Sequence, residues 1–220
     1  MTIGIMQPYL LPYLGYFQLM KAVDIFVYYD DVTYIKQGWI NRNNIIVNGK
    51  MFRFTLELHG ASSFKKINEI EVGRNREKLY RTFSQSYSKA PYFQQVSELL
   101  RNVFYSEEKN LFRYILQTHQ GIFDYLGMGL NCLISSEIDK DVSLKGQDKV
   151  LNICKSLNAT RYINAIGGQY LYSREDFADN GIELFFIHPS ENLPKTSIFD
   201  VLMNHSIGEI KEMFENYDLI

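Results

Sequence analysis

The chain has two cysteines, five prolines, one tryptophan and four histidines in 220 residues. Two thiols exclude a disulfide framework and a four-cysteine zinc site. Cys132 and Cys154 lie in the apolar contexts GLNCLIS and VLNICKSL, and are expected to be small buried hydrophobes, which suits a reducing cytoplasm. No apolar run approaches the roughly 18 residues of a membrane-spanning helix, so no membrane insertion is expected. The opening, MTIGIMQPYLLPYLGYF, has no positive n-region and carries two prolines, unlike a signal peptide. Neither sign of charge dominates: 23 Lys and Arg face 25 Asp and Glu, a net charge of −2, which gives no global attraction to nucleic acid. The HExxH, GxSxG, Walker A and paired CxxC motifs are absent. His59, His119, His188 and His205 are far apart and lack metal spacing, so each is expected at the surface or satisfied in the core.

Aromatic residues are abundant instead, at 15% of the chain, with 16 Tyr and 15 Phe. The order of segments predicts one α/β domain over 1–220. Residues 3–6 form an apolar run, 13–21 have helical spacing, and IFVYYDD after Asp24 is a second strand-like run, the size of a βαβ unit with parallel strands. Trp39–Val47 and Met51–Leu58 are β-rich and flank Asn48-Gly49, a hairpin signal. Residues 75–126 carry helical periodicity broken at Pro91, so a hairpin and helices are inserted at about 36–126. A strand near 131–135, a helix over 147–157, strands over 161–164 and 182–187, a short helix near 173–179 and two short helices over 197–217 complete the pattern. The expected fold is a parallel, Rossmann-like sheet.

Charge is unevenly distributed. Residues 36–101 hold twelve Lys and Arg against five Asp and Glu, whereas 172–220 hold three against ten. Two solvated faces attracting each other within the fold account for this. A basic wall for an anionic substrate, such as a nucleotide-linked or lipid-diphosphate sugar, is the functional alternative.

Four clusters carry candidate chemistry. Gln7, Tyr9, Tyr13, Gly15 and Tyr16 form a polar, Tyr-rich loop after the first strand, where α/β sheets bind ligands. Tyr29, Asp30 and Asp31 end the second strand. The two carboxylates point to opposite sides if extended, and either is a candidate general base, Mg²⁺ ligand or sugar-hydroxyl acceptor, or else a turn or cap residue. Lys36, Trp39, Asn41, Arg42 and Asn43 combine an anion-binding fork, a stacking platform and amides. Asn164, Gly167 and Gly168 form a strand-to-helix turn able to present N–H groups to an anion. Lys195 and Ser197 precede an apolar helix, in a pattern that fits either capping or phosphate binding.

The stretches IMQPYLLPYLGYFQLMKAVDIFVYYDDVTYIKQGWINRN, KAPYF, RYINAIGGQYLYSREDFADNGIELFF and TSIFDVLMNH resemble the WbqC-like family, in order and over nearly the whole chain. The resemblance implies a bacterial family associated with O-antigen and other surface-polysaccharide gene clusters, with glycyl or other amino-acyl transfer onto a sugar proposed for some members. The opening strand, polar loop, Gly and helix also resemble HIGH-type nucleotidylyltransferases and pantothenate-synthetase-like ligases. Tyr13-Leu14-Gly15-Tyr16 stands where those enzymes carry His-x-Gly-His, and TSIFD resembles their phosphate-binding helix start. Both histidines are tyrosines here, so Lys36, Arg42 or Lys195 would have to supply positive charge.

The resulting expectation is a cytoplasmic transferase or amide-forming ligase. Its substrate is a sugar nucleotide or amino acid, and ATP and Mg²⁺ are its candidate cofactors. Asp30, Asp31, Tyr16 and Arg42 are its candidate catalytic residues. The alternative is a non-catalytic sugar-binding or scaffold protein of a polysaccharide assembly.

Overall fold

The computed structural model describes residues 1–220. The chain opens with β1 (Thr2–Met6), α1 (Leu14–Ala22) and β2 (Ile25–Tyr28). A hairpin follows, β3 (Arg42–Val47) and β4 (Lys50–Thr55), then a short pair, β5 (Leu58–His59) and β6 (Glu71–Val72). Three helices come next, α2 (Arg76–Tyr87), α3 (Phe93–Phe104) and α4 (Leu111–Tyr125). The chain then returns through β7 (Cys132–Ile134), α5 (Gly146–Ser156), β8 (Arg161–Ala165), α6 (Arg174–Asp179) and β9 (Glu183–Pro189). It ends with α7 (Ile198–Asn204), α8 (Ile207–Phe214) and β10 (Tyr217–Leu219). No helix is long and apolar enough to cross a membrane.

The main sheet has the order β10-β9-β8-β1-β2-β7. Its first five strands along the chain are parallel, and β10 pairs antiparallel with β9. The central strand, β1, buries Ile3, Gly4 and Ile5 without alternation, as expected of a strand covered on both faces. One face carries a cluster of 13 buried residues from the sheet, α5 and α6. The other carries a cluster of 41, in which Phe26 and Tyr28 of β2 join Phe54, Phe83 and Phe104 of the insertion and Phe199 and Phe214 of the C-terminal helices.

Asn48 and Gly49 take φ of +51° and +75° between the paired Val47 and Lys50. Positive φ at both central residues gives a turn that matches the twist of its strands. The short pair β5 and β6 is additional to the sequence expectation, and two further elements differ from it. The hairpin strand begins at Arg42, not Trp39, because residues 35–40 fold into a turn with Gln37 at φ +61° and with Arg42 Nε donating to Gly38 O. The edge strand β10 is additional. Its three residues are largely exposed and owe their strand form to pairing with β9.

The basic and acidic stretches meet, but not as an ion-pair interface. The four ion pairs of the chain join Arg81 to Glu77, Lys140 and Lys149 to Asp31, and Arg161 to Glu183. Contact between the stretches runs instead through Phe83 edge-on to Phe199 and Tyr87 Oη donating to Asp200 at 2.7 Å.

Candidate functional site

Strands β1 and β8 are neighbours, and the chain leaves their carboxyl ends in opposite directions, toward β2 and toward β9. A crevice must open at such a point, and open parallel sheets bind ligands there. The loop over residues 7–13 forms its floor and is held from several sides. Tyr16 Oη donates to Gln7 O at 2.9 Å, and Asn43 Nδ2 donates to Leu11 O at 2.8 Å. Leu10 N–H donates to Ile40 O, and Ile198 N–H donates to Pro12 O, both at 2.8 Å. His119 Nε2 lies 2.9 Å from Tyr9 O, and its Nδ1 lies 2.8 Å from Tyr28 Oη. A carbonyl only accepts, so Nε2 carries the proton and Nδ1 accepts from the tyrosine. These ties hold the buried Leu11 at φ +48°, a conformation few side chains adopt.

Above this floor is a cavity of about 440 Å³. Tyr9, Tyr13 and Gly15 line it from the β1–α1 side, Ile166 from the end of β8, and His188 from the end of β9. Trp39, Asn43 and Asn44 line it from the hairpin, and Ser190, Glu191 and Lys195 from the loop after β9. Burial raises the Tyr13 pKa, and burial together with Tyr13 raises that of Tyr9, so both present neutral hydroxyls. The half-exposed Trp39 ring lies 5.3 Å from the Arg53 guanidinium and 6.0 Å from that of Arg42. Gly15 is held by packing: a Cβ there would meet the Tyr13 ring at 2.4 Å and Pro189 Cγ at 2.7 Å.

Thus Tyr9, Tyr13, Gly15, Trp39, Asn43 and Lys195 come together, while other expected site residues do not join them. Tyr16 is fully buried with its hydroxyl committed to Gln7 O, and burial lifts its pKa far above the tyrosine value, which removes it from catalysis. Gln7 contributes that carbonyl. Asn41 is a structural tie, accepting from Tyr34 Oη and donating to Leu56 O. Lys36 is exposed in the turn, and Arg42 flanks Trp39 without lining the cavity. Asn164 is buried, donating to Tyr162 Oη and Tyr172 Oη and accepting from Ala165 N–H. Gly167 and Gly168 lie in a 3-10 turn over residues 166–171, outside the cavity. Ser197 is fully buried, its Oγ capping α7 at Phe199 N–H and its N–H given to Asn44 O, so no phosphate reaches it.

Asp30 and Asp31 do diverge, but both turn away from the cavity. Asp31 accepts from Ser135 Oγ at 2.7 Å and pairs with Lys149 at 2.9 Å and Lys140 at 3.3 Å. Burial works to raise its pKa, but the Ser135 hydrogen bond and the two ammonium groups outweigh that and hold it below the ordinary value. A carboxylate so stabilised is a poor base. Asp30 accepts from Asn68 Nδ2, Ser136 N–H and Ser136 Oγ, beside a separate hollow that shares no wall with the cavity. Tyr29 lies under Lys149 Nζ at 5.1 Å. No three His, Cys, Asp or Glu side chains gather, Asp30 and Asp31 lie outside the cavity, and Glu191 is its one carboxylate. Both cysteines are free, and burial raises the pKa of each, that of Cys154 to about 12.

His188, Glu191, Ser190 and Asn44 were not anticipated. The rule that pointed to the end of β1 applies equally to the end of β9, where His188 and Pro189 close the strand and Ser190 and Glu191 follow.

The fold and cavity define an α/β protein with an aromatic-walled, polar crevice at the carboxyl ends of a largely parallel sheet. The chain belongs to the WbqC-like protein family, which matches residues 7–212. It is similar to an uncharacterized protein of Mycobacterium tuberculosis, with 28% identity over 166 residues, 74% of this chain and 71% of that one. No solved structure matches the chain.

Proposed function

We propose that the crevice binds a sugar or amino-sugar intermediate of bacterial surface polysaccharide, and that the protein transfers an amino-acyl or other acyl group onto it. One observation carries this reading. Trp39, Tyr9 and Tyr13 line the same cavity as Asn43, Asn44, Ser190 and Lys195. Sugar C–H faces pack on aromatic rings, amides and hydroxyls serve sugar hydroxyls, and an ammonium serves a phosphate or carboxylate. We read the parallel-strand order, 3-2-1-4-5 along the chain, as Rossmann-like, and this favours a nucleotide-linked substrate at the switch point.

His188 and Glu191 replace the aspartates as candidate bases. An amine acceptor must lose a proton before its nitrogen attacks an acyl carbon, and either side chain is placed in the cavity wall to take it. The nitrogen–carbon bond then forms as the donor's leaving group departs. Saturation-transfer NMR with a panel of amino-sugar nucleotides tests the reading. Binding is expected, weakened about tenfold or more in Trp39→Ala and Lys195→Ala, each removing an interaction of roughly 1–3 kcal/mol. A panel without binding at millimolar concentration overturns it.

Saturation of Asp30 and Asp31 by their neighbours favours one second reading, a sugar-binding scaffold without turnover. Under the transferase reading His188→Ala with Glu191→Gln retains ligand and loses turnover. Under the scaffold reading the parent has none to lose.

A further inference from the structure

Large apolar side chains stand exposed along the approach to the hairpin. Phe64 is 96% exposed, Met51 65%, Ile35 54% and Trp39 46%. They belong to one surface. Tyr34 N–H donates to Lys65 O, which sets Phe64 and Lys65 beside Ile35. Gly38 N–H donates to Ile35 O, which brings Trp39 round to the same place, and Arg53 lies over the Trp39 ring. Strand alternation puts Met51 on the face of β4 that carries Arg53.

The same segments are basic. Between residues 32 and 66 stand Lys36, Arg42, Lys50, Arg53, Lys65 and Lys66 against the single carboxylate of Glu57. None of the six is in an ion pair.

We propose that this surface, from Ile35 and Phe64 across Trp39 to Met51, docks the protein peripherally on an anionic lipid bilayer, with the crevice opening beside the membrane. Apolar side chains on a cationic ground suit a bilayer: the former enter the acyl boundary while the latter meet lipid phosphates. A nucleic acid would use the cations but leave Met51, Ile35 and Phe64 without partners. Trp39 belongs to both the surface and the cavity wall, which couples docking to the site. The inference goes beyond the transfer reading and stands without it, since it concerns where the crevice opens and not what reacts there.

Sedimentation of the full chain with vesicles tests it. Vesicles are phosphatidylcholine alone or with about one-third phosphatidylglycerol, in salt from about 50 to about 500 mM. Binding is expected only to the anionic vesicles and is lost at high salt. Lys36→Glu with Lys65→Glu is expected to weaken it by about 25-fold or more, at about fivefold per cation. Phe64→Ser with Met51→Ser, at unchanged charge, is expected to weaken it by about 100-fold, at about tenfold per side chain. All four substitutions are at exposed positions, so the fold is retained. The proposal is overturned if anionic vesicles are not bound at low salt, or if the Phe64/Met51 variant binds as the parent does. It is equally overturned if the surface buries itself in a dimer, or captures oligonucleotide irrespective of Phe64.

Discussion

His119 is fully buried and hydrogen-bonded at both ring nitrogens, and burial lowers its pKa to about 3 despite the carbonyl at Nε2. The unfolded chain binds a proton there near pH 6.5, while the folded chain does not until about pH 3. Stability from this residue is therefore complete above pH 6.5 and is lost as pH falls toward 3. Glutamine keeps an acceptor for Tyr28 and a donor for Tyr9 but does not titrate. Urea unfolding of His119→Gln between pH 4 and pH 6 is expected to show a pH dependence shallower than the parent's by about 1.4 kcal/mol per unit. Equal slopes would mean that the imidazole protonates in place. The candidate site was legible in part at this scale. Position along the chain located Tyr13 in the loop after the first strand, Trp39 and Asn43 at the hairpin and Lys195 before a helix. It could not tell the direction of a side chain. Tyr16, three residues past Tyr13 on the first turn of α1, faces the core, and Asn164 bends back to its own strand's tyrosine.

Elements with strong periodicity were legible: the apolar spacing over 75–126 became α2, α3 and α4. Asn48-Gly49 fixed the hairpin because its backbone needs positive φ twice, whatever surrounds it. The edge strand β10 was not legible, since its conformation is imposed by β9. The seating of α1 on β9 is likewise a property of two elements together. It depends on Gly15, where a side chain would strike Tyr13 and Pro189. Alanine favours a helix over glycine by about 1 kcal/mol. At Gly208, where the nearest atom to an added Cβ is Ser206 Oγ at 3.9 Å, that preference is realised and stability rises. At Gly15 the clash dominates, and Gly15→Ala is expected to cost about 1–3 kcal/mol in urea unfolding. Equal stabilisation by both substitutions would show that α1 moves freely on the sheet.

For the whole molecule, the question is whether an insertion of about ninety residues at 36–126 behaves as a unit of its own. Its boundaries suggest a domain, but its core does not. Phe54, Phe83 and Phe104 lie in the same apolar cluster as Phe26, Ile163 and Ile187 of the sheet and Phe199 of α7. Polar ties cross the same boundaries, since Tyr87 Oη reaches Asp200, His119 reaches Tyr9 and Ser197 N–H reaches Asn44 O. Removing the insertion would uncover Phe17 and Tyr28, which pack on Phe123, Phe112 and His119 of α4, and Phe199, which packs on Phe83; removing the sheet would uncover the face of α4 that carries Phe112 and His119. Neither part retains a closed core, so the two must unfold together. Calorimetry is expected to show a single transition. At about 0.7 kcal/mol per residue its enthalpy near 60 °C is about 150 kcal/mol, equal to the van't Hoff value. Two resolved transitions, or a van't Hoff enthalpy near half the calorimetric one, would mean that the shared cluster couples the parts only weakly. The crevice, whose walls come from both parts, would then open before the sheet melts.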